Sequence, residues 1–220
     1  MPQVHTGSAA LVLASGGGTR LGGGKLLLPW KGRPLLVHSV EKALRMPDLL
    51  SVTVVLGHQP EKLQSCLETA FPAASFPPLR IVHNPRWEEG LSASLQCGVS
   101  SLVNASEAMR LANVLVLLGD MPLVREDTLA LLCKTHIKAC AGNPEHAATV
   151  PVHQGKRGNP VVLSRLIFPL LFSLSGDTGA RSLLTAFGEN ALFLPVNDRG
   201  VLLDVDSPAD YASLLANCRA

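Results

Sequence analysis

Short apolar runs alternate along this chain with stretches of helical periodicity, and this alternation limits the folds that are open to it. Each run is almost continuously apolar rather than alternately apolar and polar, which is typical of strands buried on both faces. Such an alternation predicts crossover units, and therefore an α/β fold with a mostly parallel sheet covered on both sides. The predicted strands are Ala9–Ala14, Val52–Leu56, Arg80–His83, Val114–Leu118 and Ala148–Val152, and the predicted helices are Leu35–Arg45, Glu61–Ala70, Leu91–Leu102 and Glu126–Ala139.

The last third of the chain is less regular. A turn-rich segment, His153–Pro160, precedes another apolar run, and we expect an antiparallel addition to the sheet there. A helix near Gly179–Phe187 and a strand near Ala191–Val196 are predicted next. The final helix is better marked, because Ser207 can cap it and Asp210 lies three residues after that cap.

Size and composition favour a single domain over residues 1–220. With 47% hydrophobic and 16% charged residues, a chain of 220 residues can bury a sizeable core. The net charge of +2 comes from 19 basic and 17 acidic residues without a long run of either sign, which argues against a nucleic-acid partner. Five scattered cysteines without a CxxC pair indicate a reducing compartment, the cytoplasm. The most apolar stretch, Leu166 to Leu174, is short and contains Pro169, so we expect no membrane partner.

A glycine-rich loop directly follows the first predicted strand. The segment from Ser15 to Lys25 contains six glycines, two cations and no carboxylate. Glycines let backbone N–H groups approach phosphate oxygens, while Arg20 offers a bidentate fork and Lys25 a point charge. The composition therefore predicts a polyphosphate site. A flexible turn with exposed cations is the alternative interpretation.

Two familiar nucleotide-binding motifs do not fit this loop. A P-loop has glycine six residues before its lysine and Ser or Thr directly after it, whereas Thr19 and Leu26 occupy those positions here. A GxGxxG motif counted from Gly16 meets Leu21 at its third glycine, and the second predicted strand ends without an acid for a ribose. Hydride transfer is therefore a weak alternative.

Carboxylates that could hold a metal ion follow two other segments. Asp120 comes directly after the fourth predicted strand, and the carboxyl end of a central parallel strand faces the crevice where α/β sheets bind ligands. A triphosphate requires a hard divalent cation, and Mg²⁺ is commonly held by one or two carboxylates. Asp206 is the favoured second ligand and Asp204 the alternative, since both face one side if their segment is extended. A turn or capping role for these acids is the simpler interpretation.

Six short motifs occur in order along almost the whole chain, from Leu11 to Tyr211. They are GGGTRLGGGK, NPRWEEGLSASL, GDMP, GNPV, GDTGAR and DVDSPAD. Together they resemble the family of molybdenum cofactor nucleotidyltransferases, and most closely its cytidylyltransferase branch. The guanylyl branch usually carries an acidic residue before the loop lysine, whereas Gly24 precedes Lys25 here, and this favours cytidine.

The resemblance implies a Rossmann-like nucleotidyltransferase fold, similar to nucleotide-diphospho-sugar transferases, built as a mostly parallel three-layer αβα sandwich. It also implies catalytic roles for Arg20, Lys25 and Asp120, and Mg²⁺ bound by Asp120 and Asp206. The implied nucleotide site comprises Ala14, Ser15, Gly16, Gly17, Gly18, Arg20, Lys25, Asn84, Gly90 and Ser94, with Ser94 a direct contact to the base, and the implied acceptor site comprises Asn159, Asp177 and Arg181.

The function implied by the resemblance is Mg²⁺-dependent transfer of CMP from CTP to the molybdenum cofactor, a molybdopterin, with release of pyrophosphate. A phosphate acceptor is already ionised at neutral pH, so no general base is needed. His58, His83 and His153 follow strands closely enough to be possible substrate contacts. Two alternatives stay open. One is guanylyl or other nucleotidyl transfer to a phosphorylated small molecule such as a sugar phosphate, and the other is a non-catalytic carrier that serves a molybdenum hydroxylase.

Overall fold

The computed structural model describes residues 7–72, 77–177 and 187–216. Within these ranges the other predicted strands and helices are present, with ends shifted by a few residues, and the structure adds a small hairpin and a one-turn helix; the helix predicted near Gly179–Phe187 lies mostly outside them. The strands are β1 (Gly7–Ala14), β2 (Pro29–Trp30), β3 (Arg33–Pro34), β4 (Leu49–Leu56), β5 (Leu79–His83), β6 (Leu111–Leu118), β7 (Ala148–His153), β8 (Lys156–Arg157), β9 (Val161–Ser164) and β10 (Ala191–Pro195), and the helices are α1 (Leu35–Leu44), α2 (Pro60–Ala70), α3 (Leu91–Val103), α4 (Glu126–Gly142), α5 (Phe168–Leu171) and α6 (Pro208–Ala216).

Eight strands form one mixed, mostly parallel sheet. Its order is β10-β7-β9-β6-β1-β4-β5, with β8 paired to β7, while β2 and β3 form a separate hairpin. The pairs β1–β4, β1–β6, β4–β5 and β7–β10 are parallel, and β9 runs antiparallel to both β6 and β7. Both the predicted parallel sheet and its predicted antiparallel addition are confirmed. Most of the helix predicted near Gly179–Phe187 lies outside the described residues.

Side-chain alternation along β1 explains why the sheet is covered on both faces. Ala10 and Val12 pack with buried residues of α1, α2 and α4, whereas Leu11 and Leu13 pack with those of α3 and α5. Because successive side chains of a strand point to opposite faces, a continuously apolar strand requires an apolar layer on each side. The result is the predicted three-layer αβα sandwich. None of the helices within the described ranges has the length and apolarity to span a bilayer.

The parallel strands bring distant loops to one edge of the sheet. In the register of β1 and β6, Leu13 pairs with Leu118, so the loops that follow these two strands begin at the same height. The N–H of Gly119 donates to the carbonyl of Leu13 at 2.9 Å, which ties the two loops together. The glycine-rich loop and Asp120 therefore share the edge where α/β sheets bind ligands.

The final helix returns to this edge from the end of the chain. Val205 and Leu214 pack with Trp30 of the β2–β3 hairpin in a third apolar cluster. The hydroxyl of Tyr211 donates to the carbonyl of Pro29 at 2.6 Å. The N–H of Val205 donates to the carbonyl of Asp120 at 3.1 Å, so the segment before α6 lies against the loop after β6.

Candidate active site

Lys25 is the centre of the site. It begins a short 3-10 turn after Gly24, whose left-handed φ of 71° ends the glycine loop. Its Nζ donates to Asp120 Oδ2 at 2.5 Å and to Asp206 Oδ1 at 2.5 Å. Burial lowers the pKa of Lys25, but the two carboxylates outweigh burial and raise the pKa above its ordinary value of 10.5. The ammonium is therefore charged and buried, unlike a lysine on a flexible surface turn.

The glycine loop has a defined conformation that depends on its glycines. Gly18 has a φ of 58°, and a Cβ at this position would lie 2.9 Å from Cγ of Lys25. The carbonyl of Gly18 accepts from the N–H of Leu21 at 2.9 Å and from that of Gly23 at 3.1 Å. Arg20, in contrast, has a side chain that is 77% exposed, with Nη1 4.0 Å from Asp206 Oδ2. The loop therefore buries one predicted cation and leaves the other at its rim.

Asp120 faces Lys25 with one oxygen and leaves the other without a partner. Oδ2 accepts from Lys25, whereas Oδ1 is buried without a hydrogen bond within the described part of the chain. Burial raises the pKa of Asp120; the Lys25 ammonium opposes this, and Asp204 and Asp206 add to it. A buried carboxylate oxygen in this position requires a positive or donating partner.

Asp204 and Asp206 face the same side of the segment before α6, as the sequence predicts. Val205 between them is only 3% exposed and points into the apolar cluster, while both acids line the pocket that contains Lys25. The side chain of Asp206 is 44% exposed, and its N–H donates to Asp210 Oδ2 at 3.3 Å. Asp206 contacts Lys25, whereas Asp204 forms part of the wall.

These side chains surround a cavity of about 450 Å³. It contains one lysine and five carboxylates, which makes it strongly acidic for a site that is predicted to hold a triphosphate. Of the predicted nucleotide residues, Gly18, Arg20, Asn84 and Ser94 are not part of the wall. The wall is formed by Leu13, Ala14, Ser15, Gly16, Gly17, Lys25, Leu26, Trp87, Glu88, Gly90, Leu91, Leu118, Asp120, Asp177, Asp204 and Asp206.

Ser94 supports the wall of this cavity from behind. Its hydroxyl lies 2.5 Å from that of Ser15, and Nδ2 of Asn84 donates to it at 3.1 Å. Ser94 is 1% exposed and Asn84 is 2% exposed. Of these three residues only Ser15 reaches the cavity. The direct contact of Ser94 with a base stays a prediction. In the structure, Ser94 lies behind Ser15, which separates it from the cavity.

Asp177 reaches the same wall by docking against the start of α3. The carbonyl of Gly176 accepts from the N–H of Ser92 at 3.1 Å and from its hydroxyl at 2.8 Å. A Cβ on Gly90 would lie 2.5 Å from the carbonyl carbon of Gly176, so only glycine permits this approach. Asp177 was predicted to face the acceptor, and it lies where the nucleotide cavity begins.

Trp87 is a residue of the cavity that the sequence did not single out, and it contacts His58, one of the three histidines predicted as possible substrate contacts. Trp87 lines the cavity, and the ring of His58 packs against it edge-on with centroids 5.3 Å apart. A Cβ on Gly57 would lie 2.4 Å from Cβ of Trp87, so that glycine allows the contact. The signal for Trp87 was its place in the NPRWEEG motif, three residues before Gly90.

The predicted acceptor residues are distributed over two places and one undescribed segment. Asn159 lines a second groove, which shares Asp204 with the cavity of Lys25. Arg181 lies outside the described residues. His153 also lines the second groove, whereas His83 is exposed and contacts Gln64.

The carboxylates fit a metal ion that completes its coordination from substrate. Within residues 7–72, 77–177 and 187–216, no three His, Cys, Asp or Glu side chains form a closed metal site. Mg²⁺ typically takes one or two carboxylates and fills the remaining positions with phosphate and water oxygens. Asp120 and Asp206 match that donor set. Oδ1 of Asp120, which has no hydrogen bond within the described residues, carries lone pairs that a cation would use.

Comparison with known proteins decides the family. The model of the MobA-like NTP transferase domain matches residues 10–191. The chain belongs to this family. The resemblance inferred from the six motifs, the nucleotidyltransferase class of the enzyme and its Rossmann-like fold are thereby confirmed. The MobA-like domain includes the glycine loop, Lys25 and Asp120, while Asp206 lies beyond the matched residues.

Relatives of this chain carry different names. Nicotine blue oxidoreductase of Paenarthrobacter nicotinovorans is 30% identical over 207 residues, which cover 93% of this chain and 95% of that protein. Molybdenum cofactor cytidylyltransferase of Escherichia coli K12 is 23% identical, with 91% of this chain and 92% of that protein covered. Bifunctional protein GlmU of Anaeromyxobacter dehalogenans (strain 2CP-1) is 35% identical over 160 residues, 70% of this chain, and the match spans 30% of that longer protein.

A solved structure shares the fold over nearly the whole chain. Rv0371c from Mycobacterium tuberculosis H37Rv is 27% identical and superposes with a TM-score of 0.75, with 97% of this chain and 99% of that chain covered. A structure of Rv0371c in complex with manganese superposes with a TM-score of 0.73 at 24% identity, over 96% of this chain and 99% of that chain.

Proposed function

We propose that this MobA-like domain transfers CMP from CTP to the molybdenum cofactor in the cytoplasm, with Mg²⁺ bound and pyrophosphate released. The contact of Lys25 with both Asp120 and Asp206 carries the proposal. It joins the predicted triphosphate cation to the two predicted metal ligands, which are 95 and 181 positions away in the chain. Transfer of a nucleotide from a triphosphate requires these three groups in one place.

The charge of the cavity supports a requirement for a divalent cation. One lysine and five carboxylates line it, so a triphosphate alone would meet net repulsion. Asp120 and Asp206 would hold the ion, which supplies neutralisation of phosphate oxygens when it is bound. The manganese complex of Rv0371c is consistent with a divalent ion in this fold.

The residues of the chain position the substrates rather than exchange protons with them. In the mechanism that we propose, backbone N–H groups of Ser15 to Gly17 and the Lys25 ammonium hold the triphosphate. The acceptor phosphate attacks the α-phosphorus in line as pyrophosphate leaves, while Asp120 and Asp206 would hold the divalent ion that neutralises the phosphate oxygens. The charge that develops lies on phosphate oxygens, so catalysis consists of positioning and neutralisation. The acceptor phosphate is already ionised and requires no general base.

The choice of CTP and of a molybdopterin acceptor has separate support. Gly24 before the loop lysine is the feature that favours cytidine, and the E. coli relative is named a molybdenum cofactor cytidylyltransferase. In this proposal, Asp177 and Asn159 approach the acceptor, and the product passes to a molybdenum hydroxylase. The four cysteines within the described ranges are all free, which agrees with a reducing compartment.

A second candidate is transfer of a nucleotide to a sugar phosphate. It stays open because the contact of Lys25 with Asp120 and Asp206 suits a triphosphate donor and does not depend on the acceptor. A release assay separates the candidates: purified protein with Mg²⁺ is given each of the four ribonucleoside triphosphates, together with molybdopterin cofactor or with hexose phosphates. We expect release of pyrophosphate only when CTP and the molybdopterin cofactor are supplied together. Release with a sugar phosphate and another triphosphate would select the second candidate, and binding of the cofactor without any release would indicate a carrier.

Asp120→Asn tests the catalytic assignment within the same assay. Loss of the carboxylate should lower turnover about 10³-fold, because the metal ion and its neutralisation of the phosphate charge are lost together. The matched control is Asp127→Asn, whose exposed carboxylate pairs with Arg125 at the start of α4 and does not line the cavity. Turnover of Asp120→Asn within a factor of about three of the control would remove Asp120 from the metal site.

A further inference from the structure

A second groove opens beside the cavity of Lys25 and has the opposite charge. It measures about 700 Å³ and shares Asp204 with that cavity. Three cations line it, Lys156, Arg157 and Arg199, and Asp204 is the one carboxylate among its lining residues within the described chain. A cationic groove that adjoins an acidic cavity indicates a ligand with anionic character along this side.

The cations stand on segments that are held in place. The guanidinium of Arg157 lies over the ring of Phe193, with Cζ 4.2 Å from its centroid. A Cβ on Gly158 would lie 2.4 Å from the carbonyl oxygen of Val201, and the N–H of Asn159 donates to that oxygen at 2.9 Å. These contacts join the two sides of the groove through the backbone, so binding requires little ordering of either side.

The backbone that carries Arg199 is anchored by the buried acid just before it, Asp198. Oδ1 of Asp198 accepts from the N–H of Gly200 at 2.8 Å, and Oδ2 accepts from the N–H of Arg125 at 2.9 Å. Asp198 is 4% exposed and does not line the groove. Neither Lys156 nor Arg199 has an ion-pair partner in the described ranges. Both charges are therefore available to a ligand.

We propose that this groove binds a second anionic group of the acceptor, remote from the acceptor phosphate that receives the nucleotide. The inference rests on the proposed function, because it takes the cavity of Lys25 as the place of the nucleotide. The acceptor phosphate attacks beside Asp120 and Asp206. The rest of the acceptor then extends past Asp204 into the groove. Lys156, Arg157 and Arg199 then select acceptors that are phosphate monoesters with a further negative charge at their far end.

Two model anions of equal length test the inference without catalysis. Phosphogluconate carries a phosphate at one end and a carboxylate at the other, while sorbitol phosphate has the same carbon chain with an uncharged end. Each is titrated into the nitrogen-labelled full chain, free of nucleotide, and followed by proton–nitrogen correlation NMR. We expect phosphogluconate to bind at least about fivefold more tightly, the factor for one added charge-assisted contact. Its shifts should extend over residues 153–159 and 199–204.

Variants assign that preference to the groove. The double substitution Lys156→Gln and Arg199→Gln, which leaves the stacked Arg157 intact, should bring the affinity for phosphogluconate down to that for sorbitol phosphate. Lys62→Gln on α2 removes an exposed charge elsewhere and should change neither affinity. Equal affinities of the two anions for the wild-type protein would overturn the inference. So would shifts confined to the glycine loop, or shifts of the groove resonances with CTP and Mg²⁺ alone.

The result is independent of the turnover assay. Preferential binding of phosphogluconate without any nucleotidyl transfer would reject the proposed function and retain an anion groove. Turnover with CTP and the molybdenum cofactor, combined with equal binding of the two anions, would reject the groove alone.

Discussion

Lys25 occupies the position between two carboxylates that also suit a cation of higher charge. Its Nζ is 2.5 Å from an oxygen of Asp120 and 2.5 Å from an oxygen of Asp206. The ammonium stabilises the carboxylates while no metal is bound, and it competes with a metal for them. Binding of a triphosphate gives Lys25 another anionic partner, so nucleotide and metal should favour each other.

Lys25→Met tests this competition. In the absence of nucleotide, the variant should bind Mn²⁺ about tenfold more tightly than the wild type, because a competing positive charge is gone. Its affinity for CTP should fall. Titration followed by electron paramagnetic resonance of free Mn²⁺ measures the first effect and calorimetry the second. Lys134→Met, an exposed position on α4, is the control. Weaker Mn²⁺ binding in Lys25→Met than in this control would contradict the competition.

Gly18 tests how the loop supports the lysine. Gly18→Ala places a methyl group 2.9 Å from Cγ of Lys25 in a left-handed conformation, whereas Gly22→Ala has a similar φ of 72° with open space around it. Both should lose about 1–2 kcal/mol of stability from the backbone conformation. Only Gly18→Ala should also lose stabilisation by CTP and Mg²⁺ in a thermal-shift assay. Equal stabilisation of the two variants by nucleotide would separate Gly18 from the support of Lys25.

At the scale of elements, the first helix holds the loop that carries Asp120. Nζ of Lys42 donates to the carbonyls of Pro122 and Val124, and the hydroxyl of Ser39 donates to the carbonyl of Gly119 at 3.1 Å. Burial lowers the pKa of Lys42 from its ordinary value. Three carbonyls of the loop after β6 are thus satisfied from α1, which limits the movement of Asp120.

The final helix holds Asp206 through a capping box. The carboxylate of Asp210 accepts from the N–H of Ser207 at 2.7 Å and from the N–H of Asp206 at 3.3 Å. The hydroxyl of Ser207 in turn accepts from the N–H of Asp210 at 3.2 Å. The start of α6 and the second predicted metal ligand are therefore stabilised by one acid.

Asp210→Ala should weaken both functions of this cap. We expect a loss of about 1 kcal/mol in the free energy of unfolding, the usual effect of a lost cap. We also expect weaker Mn²⁺ binding in the presence of CTP. Chemical denaturation and metal titration measure these effects. Ser213→Ala on the same helix is the control, because within the described residues the hydroxyl of Ser213 donates to the carbonyl of Ala209 and not to the cap. A stability loss with unchanged metal affinity would show that α6 does not position Asp206.

For the whole molecule, a buried pair of histidines sets a limit on stability in acid. His136 is fully buried, between Thr149 at 3.0 Å and Asn113 at 3.1 Å, and its ring centroid is 4.8 Å from that of His146. Burial lowers the pKa of His136 from 6.5 to about 3, with the neighbouring His146 adding to the effect. As the pH falls, His136 therefore becomes protonated at a higher pH in the unfolded chain than in the folded protein.

The sign of the pH dependence follows from this depression. The stability that neutral His136 contributes is complete above pH 6.5 and falls as the pH drops toward about 3, at up to about 1.4 kcal/mol per pH unit. Urea unfolding at a series of pH values measures the slope. His136→Gln should flatten it, whereas His83→Gln at the surface should not. An unchanged slope in His136→Gln would mean that other groups control unfolding in acid.

Much of this architecture could be predicted from the sequence, because it follows local rules. A continuously apolar strand such as Val114–Leu118 must be covered on both faces, and an acid directly after it must lie at the ligand edge. The glycine loop and Asp120 were predicted in this way, whereas Asp206 was predicted from its place in the segment before the final helix. Their assembly with Lys25 also followed the resemblance to a known family.

The parts that could not be predicted depend on contacts between distant segments. Ser94 carries no sign in the sequence that Ser15 covers it, and nothing local places Asp177 on the wall beside Gly90. The hairpin of β2 and β3 is too short for a periodic signal, and its Trp30 packs against the distant final helix. The groove of Lys156 and Arg199 joins β8 and a 3-10 turn that begins at Arg199, and neither segment carries a motif by itself.

The hydrogen bond from Val205 to the carbonyl of Asp120 has a consequence for how the protein acquires its activity during synthesis. A ribosome makes the glycine loop, Lys25 and Asp120 long before it reaches Asp206. We expect a nascent chain that has emerged only through β10 to form most of the sheet and yet remain inert. The enzyme would switch on when its last helix docks.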